Sequence, residues 1–415
     1  MKRAKFTLAA TLLLTCASSI ASAEDIQVNA APSTVSHPLQ IGRHTTVGMT
    51  DADADRIIGD MSSILAQCTS QANRRGAVAV VNTPGTITSN ADLNAACSST
   101  FLPQEGGFEP LGVPRRVRIV NAINWCGSIG TSIIGCAPTP GTCLVMVRFT
   151  ANQEGSLWAH EFGHSKGLPH RDVPNALMRP VIAAANRALT KQECASIRQL
   201  GFFELVSNDE PTPLNKIPIT EFVTQTFAHG VPYAEARQYG SADLDEILPW
   251  LTAIDRRPYW SNIISVIGIV ADGRSSGILR NHILRPATGS IDIDDYRSRV
   301  SAIISLGYVV YGNGDHDAKA FLESRKLPSD WTGTTWKAPY HARDEERDAD
   351  LAAAAILGLG LTGDTAAYRS LLTAKDAFAS NVKTPLLTSL AAAVDEAIKA
   401  NQLVREEGML SYTRQ

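Results

Sequence analysis

One stretch of eleven residues, from His160 to His170, constrains this chain more than any other; it reads His-Glu-Phe-Gly-His-Ser-Lys-Gly-Leu-Pro-His. On a helix that advances about 100° per residue, His160 and His164 point within roughly 40° of each other, one turn apart. Two imidazoles placed in this way can bind the same metal ion. Glu161 lies about 60° from His164 on the same helix, where it can flank the metal without binding to it.

The end of this helix is also predicted by the sequence. Gly167 can adopt the left-handed conformation that ends a helix, and Pro169 discourages the chain from continuing as helix. The backbone can then turn back and bring His170 to the metal as a third ligand. Three neutral imidazoles and a water form an open tetrahedral site, which is typical of catalytic zinc. A carboxylate in the position of Glu161 can take a proton from that water.

These residues resemble the extended zinc signature of the metzincin metallopeptidases, and Asn175-Ala-Leu-Met-Arg-Pro180 is similar to the Met-turn of that clan. The resemblance implies an endopeptidase that uses Zn²⁺ and acts on a protein or peptide substrate. The implied zinc ligands are His160, His164 and His170. Glu161 is the implied general base, and Met178 is the implied hydrophobic floor beneath the metal. The implied fold is α+β, with a twisted mixed sheet and an active-site helix.

Short runs around the motif predict further elements of this α+β domain. Residues 51–68 have the apolar spacing of an amphipathic helix, with acidic residues in its first turn. The predicted strands are Ala77 to Val81, Arg116 to Ile123 and Cys143 to Phe149. A closing helix is expected near residues 190–201. By the same resemblance, the strand from Cys143 to Phe149 is expected at the edge of the sheet beside the cleft, where it would pair with substrate backbone.

Residues 1–23 are typical of a secretory signal peptide. Three basic residues precede an apolar run from Phe6 to Cys16 that is too short to span a membrane, and Ala21-Ser22-Ala23 provides a cleavage site. We therefore expect a secreted or periplasmic protein, and no later apolar stretch is long enough for a membrane span. Removal of the signal changes the formal net charge from −3 to about −6, which argues against nucleic acid as a partner.

The cysteines of the mature chain all lie in its N-terminal half. They are Cys68, Cys97, Cys126, Cys136, Cys143 and Cys194. An even number of cysteines in an exported chain predicts disulfides, and six cysteines allow about fifteen pairings. A metal cluster is the alternative, but it lacks the support of a CxxC pair. We expect Cys68 to pair with Cys97 and the other four cysteines to form two bridges.

The chain changes character after residue 205. Val206 to Pro218 contains three prolines and few large apolar residues, which predicts a linker. We place this linker at residues 206–217, between a metzincin-like domain over residues 24–205 and an all-α domain over residues 218–415.

Apolar runs centred on a glycine recur in the all-α domain, at Gly268, Gly307 and Gly358, each followed by a turn and a second amphipathic helix. Such helix–turn–helix units resemble HEAT repeats of an α-solenoid, in which the glycine would allow a close approach to the neighbouring helix. An ordinary helical bundle is the alternative. A solenoid usually presents a curved surface, so we expect a protein partner or substrate there. The other interpretation is that this domain only packs against the catalytic domain and supports it.

Histidines outside the motif show no ligand spacing and are predicted to be surface or capping residues. They include His229, His282, His316 and His341. Two other functions also remain open. A zinc-dependent amidase acting on a non-peptide or cell-wall amide would use the same chemistry. A non-catalytic adaptor would use the helical repeats and keep the metal only for stability.

Overall fold

A mixed β-sheet forms the centre of the N-terminal half, and helices cover both of its faces. The computed structural model describes residues 33–82, 84–98, 115–198, 216–379 and 384–414. The predicted signal peptide and most of the predicted linker lie outside the described residues. The strands are β1 (Val35–Arg43), β2 (Ser70–Arg74), β3 (Ala79–Val80), β4 (Thr86–Ile87), β5 (Arg115–Val120), β6 (Ala122–Cys126), β7 (Ser128–Ile133), β8 (Gly135–Cys136), β9 (Cys143–Val147), β10 (Val181–Ile182), β11 (Thr226–Phe227), β12 (Gly289–Ser290) and β13 (Trp336–Lys337).

Helices dominate the C-terminal half. The α-helices are α1 (Asp51–Leu65), α2 (Asn90–Ser98), α3 (Glu154–Ser165), α4 (Lys191–Arg198), α5 (Ile219–Phe222), α6 (Tyr233–Ala236), α7 (Ser241–Ile247), α8 (Trp260–Val270), α9 (Ser275–Leu284), α10 (Ile293–Asn313), α11 (His316–Glu323), α12 (Asp344–Leu361), α13 (Thr365–Ala379), α14 (Pro385–Glu407) and α15 (Met409–Tyr412). Short 3₁₀ helices span Ala66–Cys68, Leu248–Thr252, Ile254–Tyr259 and Pro328–Trp331. The mixture of sheet and helix agrees with the predicted α+β class.

The main path of the large sheet has the strand order β2-β1-β5-β9-β8. Along this path β1 is parallel to β2 and β5, and β5 is parallel to β9. The short strand β8 is antiparallel to β9 and forms the edge, while β3 pairs with the end of β1. A second sheet contains β4, β6 and β7.

The strand β9 lies inside the large sheet, so the prediction that it forms the edge is wrong. Every residue of β9 is buried: Leu144 and Met146 belong to one apolar core and Val145 to the other. A strand that is covered on both faces reads as a continuous apolar run, which is what its sequence shows. The predicted strand from Arg116 to Ile123 is also divided between β5 and β6, since the Asn121 N–H between them bonds to another loop.

Two helices pack against one face of the sheet. At the start of α1 the Thr50 side chain accepts a hydrogen bond from the Asp53 N–H, and the Asp53 carboxylate accepts one from the Thr50 N–H, which forms a capping box. The helix α3 approaches α1 closely at Gly155, where a Cβ would lie 2.2 Å from an Asp60 carboxylate oxygen. This contact holds α3, which carries the histidine motif and is buried along its whole length, against α1.

The helices of the C-terminal half pack against the second sheet at β7, while α2 packs on β5 and β9 of the large sheet. Val145 of β9 and Ile263 of α8 belong to the same apolar core. The strand β7 is tied to the helices by two hydrogen bonds: the Ile129 N–H donates to the Tyr412 hydroxyl at 2.7 Å, and the hydroxyls of Thr131 and Ser265 are 2.6 Å apart. From Thr34 onward the chain forms one compact unit by its contacts. The predicted domain boundaries stay a prediction.

Paired helices occur where the glycine-centred runs predicted them: α8 with α9, α10 with α11, and α12 with α13. Their glycines lie where neighbouring helices touch. A Cβ on Gly307 would be 2.1 Å from the carbonyl oxygen of Gly358, and one on Gly268 would be 2.6 Å from the Cβ of Ser305. The absence of a side chain therefore allows α10 to pack directly on α8 and α12. The assignment of these pairs to HEAT-like repeats stays a prediction.

The disulfides join Cys68 to Cys194, Cys97 to Cys143 and Cys126 to Cys136. The expected Cys68–Cys97 bridge is wrong, because Cys68 follows α1 and lies beside α4, which carries Cys194. The cysteine at position 97 is in α2, which packs on β9 and so meets Cys143 at the start of that strand. Disulfides of this number are typical of an oxidising compartment.

Membrane-spanning helices are absent from the described part of the chain: none of its helices is both long and apolar enough to cross a bilayer.

Candidate metal centre

The helix α3 ends at the turn that the motif predicts. Gly167 has a φ of 83°, and the N–H groups of Leu168 and Gly167 donate to the carbonyls of Gly163 and His164 at 3.0 and 2.8 Å. This pair of bonds is a Schellman motif, which requires a left-handed residue such as glycine. The Leu168 carbonyl that the turn presents lies 2.8 Å from Nδ1 of His164. The turn therefore reverses the chain and also orients the imidazole of His164.

Two backbone carbonyls fix the tautomers of the helical histidines. Nδ1 of His160 lies 2.9 Å from the Leu177 carbonyl, and His164 has the Leu168 carbonyl in the equivalent place. Because a carbonyl oxygen can only accept, each Nδ1 carries the hydrogen, which leaves the Nε2 lone pair of a neutral ring free. Burial lowers the pKa of His164 to about 4 and that of His160 well below its usual value. Their Nε2 atoms face each other at 3.0 Å.

The third motif histidine joins this pair. Nε2 of His170 lies 3.2 Å from Nε2 of His164. Its neighbour Arg171 anchors the returning loop, because its guanidinium donates to the Glu193 carboxylate at 2.8 Å and its N–H donates to the Met178 carbonyl at 2.9 Å. The structure therefore brings the three predicted ligands together.

A fourth histidine, His229, also reaches the cluster, and the prediction that it is a surface or capping residue is wrong. Its Nε2 lies 3.2 Å from Nε2 of His164, and one ring nitrogen from each of the four histidines falls within 4.8 Å of the others. Residues 226–230, called the strap below, carry it to the site. Spacing could not have revealed it, because 58 residues lie between it and His170. The sequence around it does not distinguish it from the other isolated histidines.

The histidine cluster fits a zinc ion. Lone pairs of neutral imidazoles that face one another at about 3 Å repel, and a cation at their centre removes that repulsion. Ligand nitrogens about 2.0–2.1 Å from a tetrahedral zinc are roughly 3.3–3.4 Å apart. The observed separations of 3.0 to 3.2 Å from His164 are close to this spacing.

Glu161 is fully buried beside the cluster. Neither of its carboxylate oxygens has a hydrogen-bond partner among the described residues, and Oε1 lies 3.8 Å from Nε2 of His229. Burial raises its pKa well above the usual value, whereas a nearby dication favours the charged form. The edge strand leaves room for it at Gly135, where a Cβ would be 2.3 Å from Oε1. A buried carboxylate without a partner is costly, so its presence at a candidate metal site suggests a functional role.

Met178 packs against the motif helix at Gly163. It is fully buried, and a Cβ on Gly163 would lie 2.4 Å from its sulfur. Gly163, which lies between His160 and His164 in the sequence, has no side chain and therefore leaves room for the thioether of Met178. Leu177, the residue before Met178, supplies the carbonyl that orients His160. Leu177 and Met178 therefore both support the site.

Residues 146–201 match the family model of the matrixins. The matched segment contains the histidine motif, Glu161 and Met178, and it supports a metzincin-type domain with zinc metallopeptidase chemistry. It covers a small part of the chain and does not reach the helical half. No curated protein matches the chain.

Proposed function

We propose that this protein is an exported zinc endopeptidase with a metzincin fold. The observation that carries the proposal is the convergence of the Nε2 atoms of the motif histidines beside the buried, partnerless carboxylate of Glu161. The match to the matrixins supports the same class of reaction. The proposed zinc ligands are His160, His164 and His170.

Each side chain has its own part in the proposed reaction. Zinc at this site would lower the pKa of a bound water and polarise the scissile carbonyl. Glu161 would take the proton of the attacking water and pass it to the leaving amine. The Leu168 and Leu177 carbonyls would keep the imidazoles turned with Nε2 inward, as outer partners of metal ligands do. Met178 would form the apolar floor beneath.

Export is proposed from two observations. Residues 1–23 have the pattern of a signal peptide, and three disulfides are typical of a secreted or periplasmic protein. The substrate would then be a protein or peptide outside the cytoplasm.

The helical half is proposed to be a HEAT-like array whose main task is structural. It packs on β7 and shares an apolar core with the N-terminal half, so removing it would expose Ile129 and Ile133 of β7 to water. A protein partner on its outer surface remains part of the proposal, but the shared core favours support of the catalytic half.

One observation favours the second candidate, a non-catalytic protein that keeps the metal for stability. Four protein ligands form a closed site, which is typical of structural zinc, whereas catalytic sites keep one position open. His229 provides the fourth nitrogen here. The partnerless carboxylate of Glu161 argues for catalysis instead, because a purely structural site would have no use for it.

The test is Glu161→Gln, with the exposed Glu221→Gln as the matched control. Cleavage of a peptide pool should fall roughly 10²- to 10⁴-fold in Glu161→Gln, because a general base contributes that much, while bound zinc stays at the wild-type level. Both substitutions should also be made in a His229→Ala background, where the fourth imidazole no longer faces Glu161. Cleavage that persists at the control rate in Glu161→Gln would rule out the proposed base.

A further inference from the structure

The strap crosses the site in the manner of an extended peptide. The carbonyl of Ala228 accepts hydrogen bonds from the N–H groups of Ile134 and Gly135 at 3.0 and 3.1 Å, and His229 forms an antiparallel bridge with Ile133. These N–H groups belong to the edge of the large sheet. Sheet edges of this kind bind extended peptides by adding a strand, so the strap uses donors that a substrate backbone would need.

The other side of the strap is held by the segment that follows Met178. The strands β10 and β11 pair antiparallel, and the Ala228 N–H donates to the Pro180 carbonyl at 2.9 Å. Backbone bonds therefore hold the strap between the sheet edge and the segment after Met178. Gly230 permits this close fit, because its φ is 86° and a Cβ there would be 2.3 Å from the Thr131 carbonyl oxygen.

His229 lies where the proposed reaction needs a water. Its Nε2 is 3.2 Å from Nε2 of His164 and 3.8 Å from the carboxylate of Glu161. A water that gives its proton to Glu161 has to lie within about 2.6–3.2 Å of that carboxylate. The imidazole nitrogen thus lies close both to the carboxylate and to the motif histidines, so a water and this ring would compete for the same position.

We infer that the strap is an intramolecular inhibitor, in which His229 supplies a fourth nitrogen ligand, and Ala228 and His229 occupy the edge where substrate would pair. This inference rests on the proposed peptidase function and adds its regulation. Catalysis then requires residues 228–230 to leave this position. Phe227 is buried against Phe222, with ring centroids 5.2 Å apart, whereas the His229 side chain is 25% exposed, so the movement is expected from Ala228 onward.

Cobalt(II) substitution tests the ligand directly, without relying on activity. In the wild-type full chain loaded with cobalt, the visible spectrum should stay unchanged on addition of azide, because no coordination position is open. His229→Ala should bind azide and change its spectrum. The control His316→Ala removes an exposed histidine of the helical half and should behave as the wild type does.

Gly230→Ala provides a second variant that keeps His229. The added Cβ would meet the Thr131 carbonyl, so the strap has to shift and azide should again bind. Peptide cleavage by the zinc forms of His229→Ala and Gly230→Ala should rise at least about tenfold, the gain expected when the open state is populated one time in ten or less.

The outcomes separate this inference from the peptidase proposal. Azide binding by both variants without cleavage of any peptide would support the fourth ligand and contradict the peptidase. Equal azide binding by the wild type and His229→Ala would overturn the inference. Loss of cobalt from His229→Ala, or reduced cleavage with unchanged azide binding, would also overturn it, since His229 would then be a structural ligand or a catalytic group.

Discussion

The two halves of the molecule are held together in different ways. The N-terminal half contains all six disulfide-bonded cysteines and three of the clustered histidines, which lie within one short motif. The helical half has no cysteine and relies on close helix packing at glycines such as Gly307. Among the described residues, its contribution to the histidine cluster is His229, on an irregular strap. The comparison indicates that the site is built by local geometry in one half and closed by a long-range contact from the other.

The largest change in stability is expected from removing the disulfides of the N-terminal half. The three bridges close chain separations of 126, 46 and 10 residues, for which loop-closure entropy gives about 5, 4 and 3 kcal/mol of stability. Replacing each pair by alanines should lower the free energy of unfolding in that order, with the Cys68–Cys194 pair costing most. Urea titration of the three double variants measures the ranking. A reversed order would show that loop closure does not govern the stability of this half.

The packing of the helical half predicts a smaller effect. In Gly307→Ala the new Cβ would lie 2.1 Å from the Gly358 carbonyl oxygen, so the helices must separate at a cost of about 1–3 kcal/mol. The control Gly277→Ala places its Cβ in open space on α9 and should stabilise the protein by about 0.5–1 kcal/mol.

Gly307→Ala also tests whether the two halves share one core. Because Val145 and Ile263 lie in the same apolar core, Gly307→Ala should weaken hydrogen-exchange protection in β5 and β9 as well as in α10 and α12. Unchanged protection of the strands, with loss confined to the helices, would mean that the halves unfold as separate domains.

Local features of the fold and site could be predicted from the sequence. The end of α3 at Gly167 follows from the properties of one residue, and the convergence of His160 and His164 follows from helix geometry. The helix pairs around Gly307 and Gly358 follow from apolar periodicity. Each of these features depends on contacts between residues that are close in the chain.

Features that depend on long-range pairing could not be predicted in this way. Cys68 meets Cys194 only because the 3₁₀ helix after α1 packs against α4. The strand β9 is interior because the two-residue strand β8, too short to show a pattern, covers its edge. His229 reaches the site through backbone bonds of Ala228 to two separate segments. No spacing rule connects these residues, so only the folded chain brings them together.

The most direct test of the account is a crystal structure of the zinc-loaded protein with anomalous data at the zinc edge. We predict one zinc peak about 2.0–2.1 Å from Nε2 of each of the four clustered histidines, with the strap paired to Ile134 and Gly135. A peak bound only by the motif histidines, with His229 turned away, would contradict the closed site. The absence of any zinc peak at the cluster would contradict the metal centre itself.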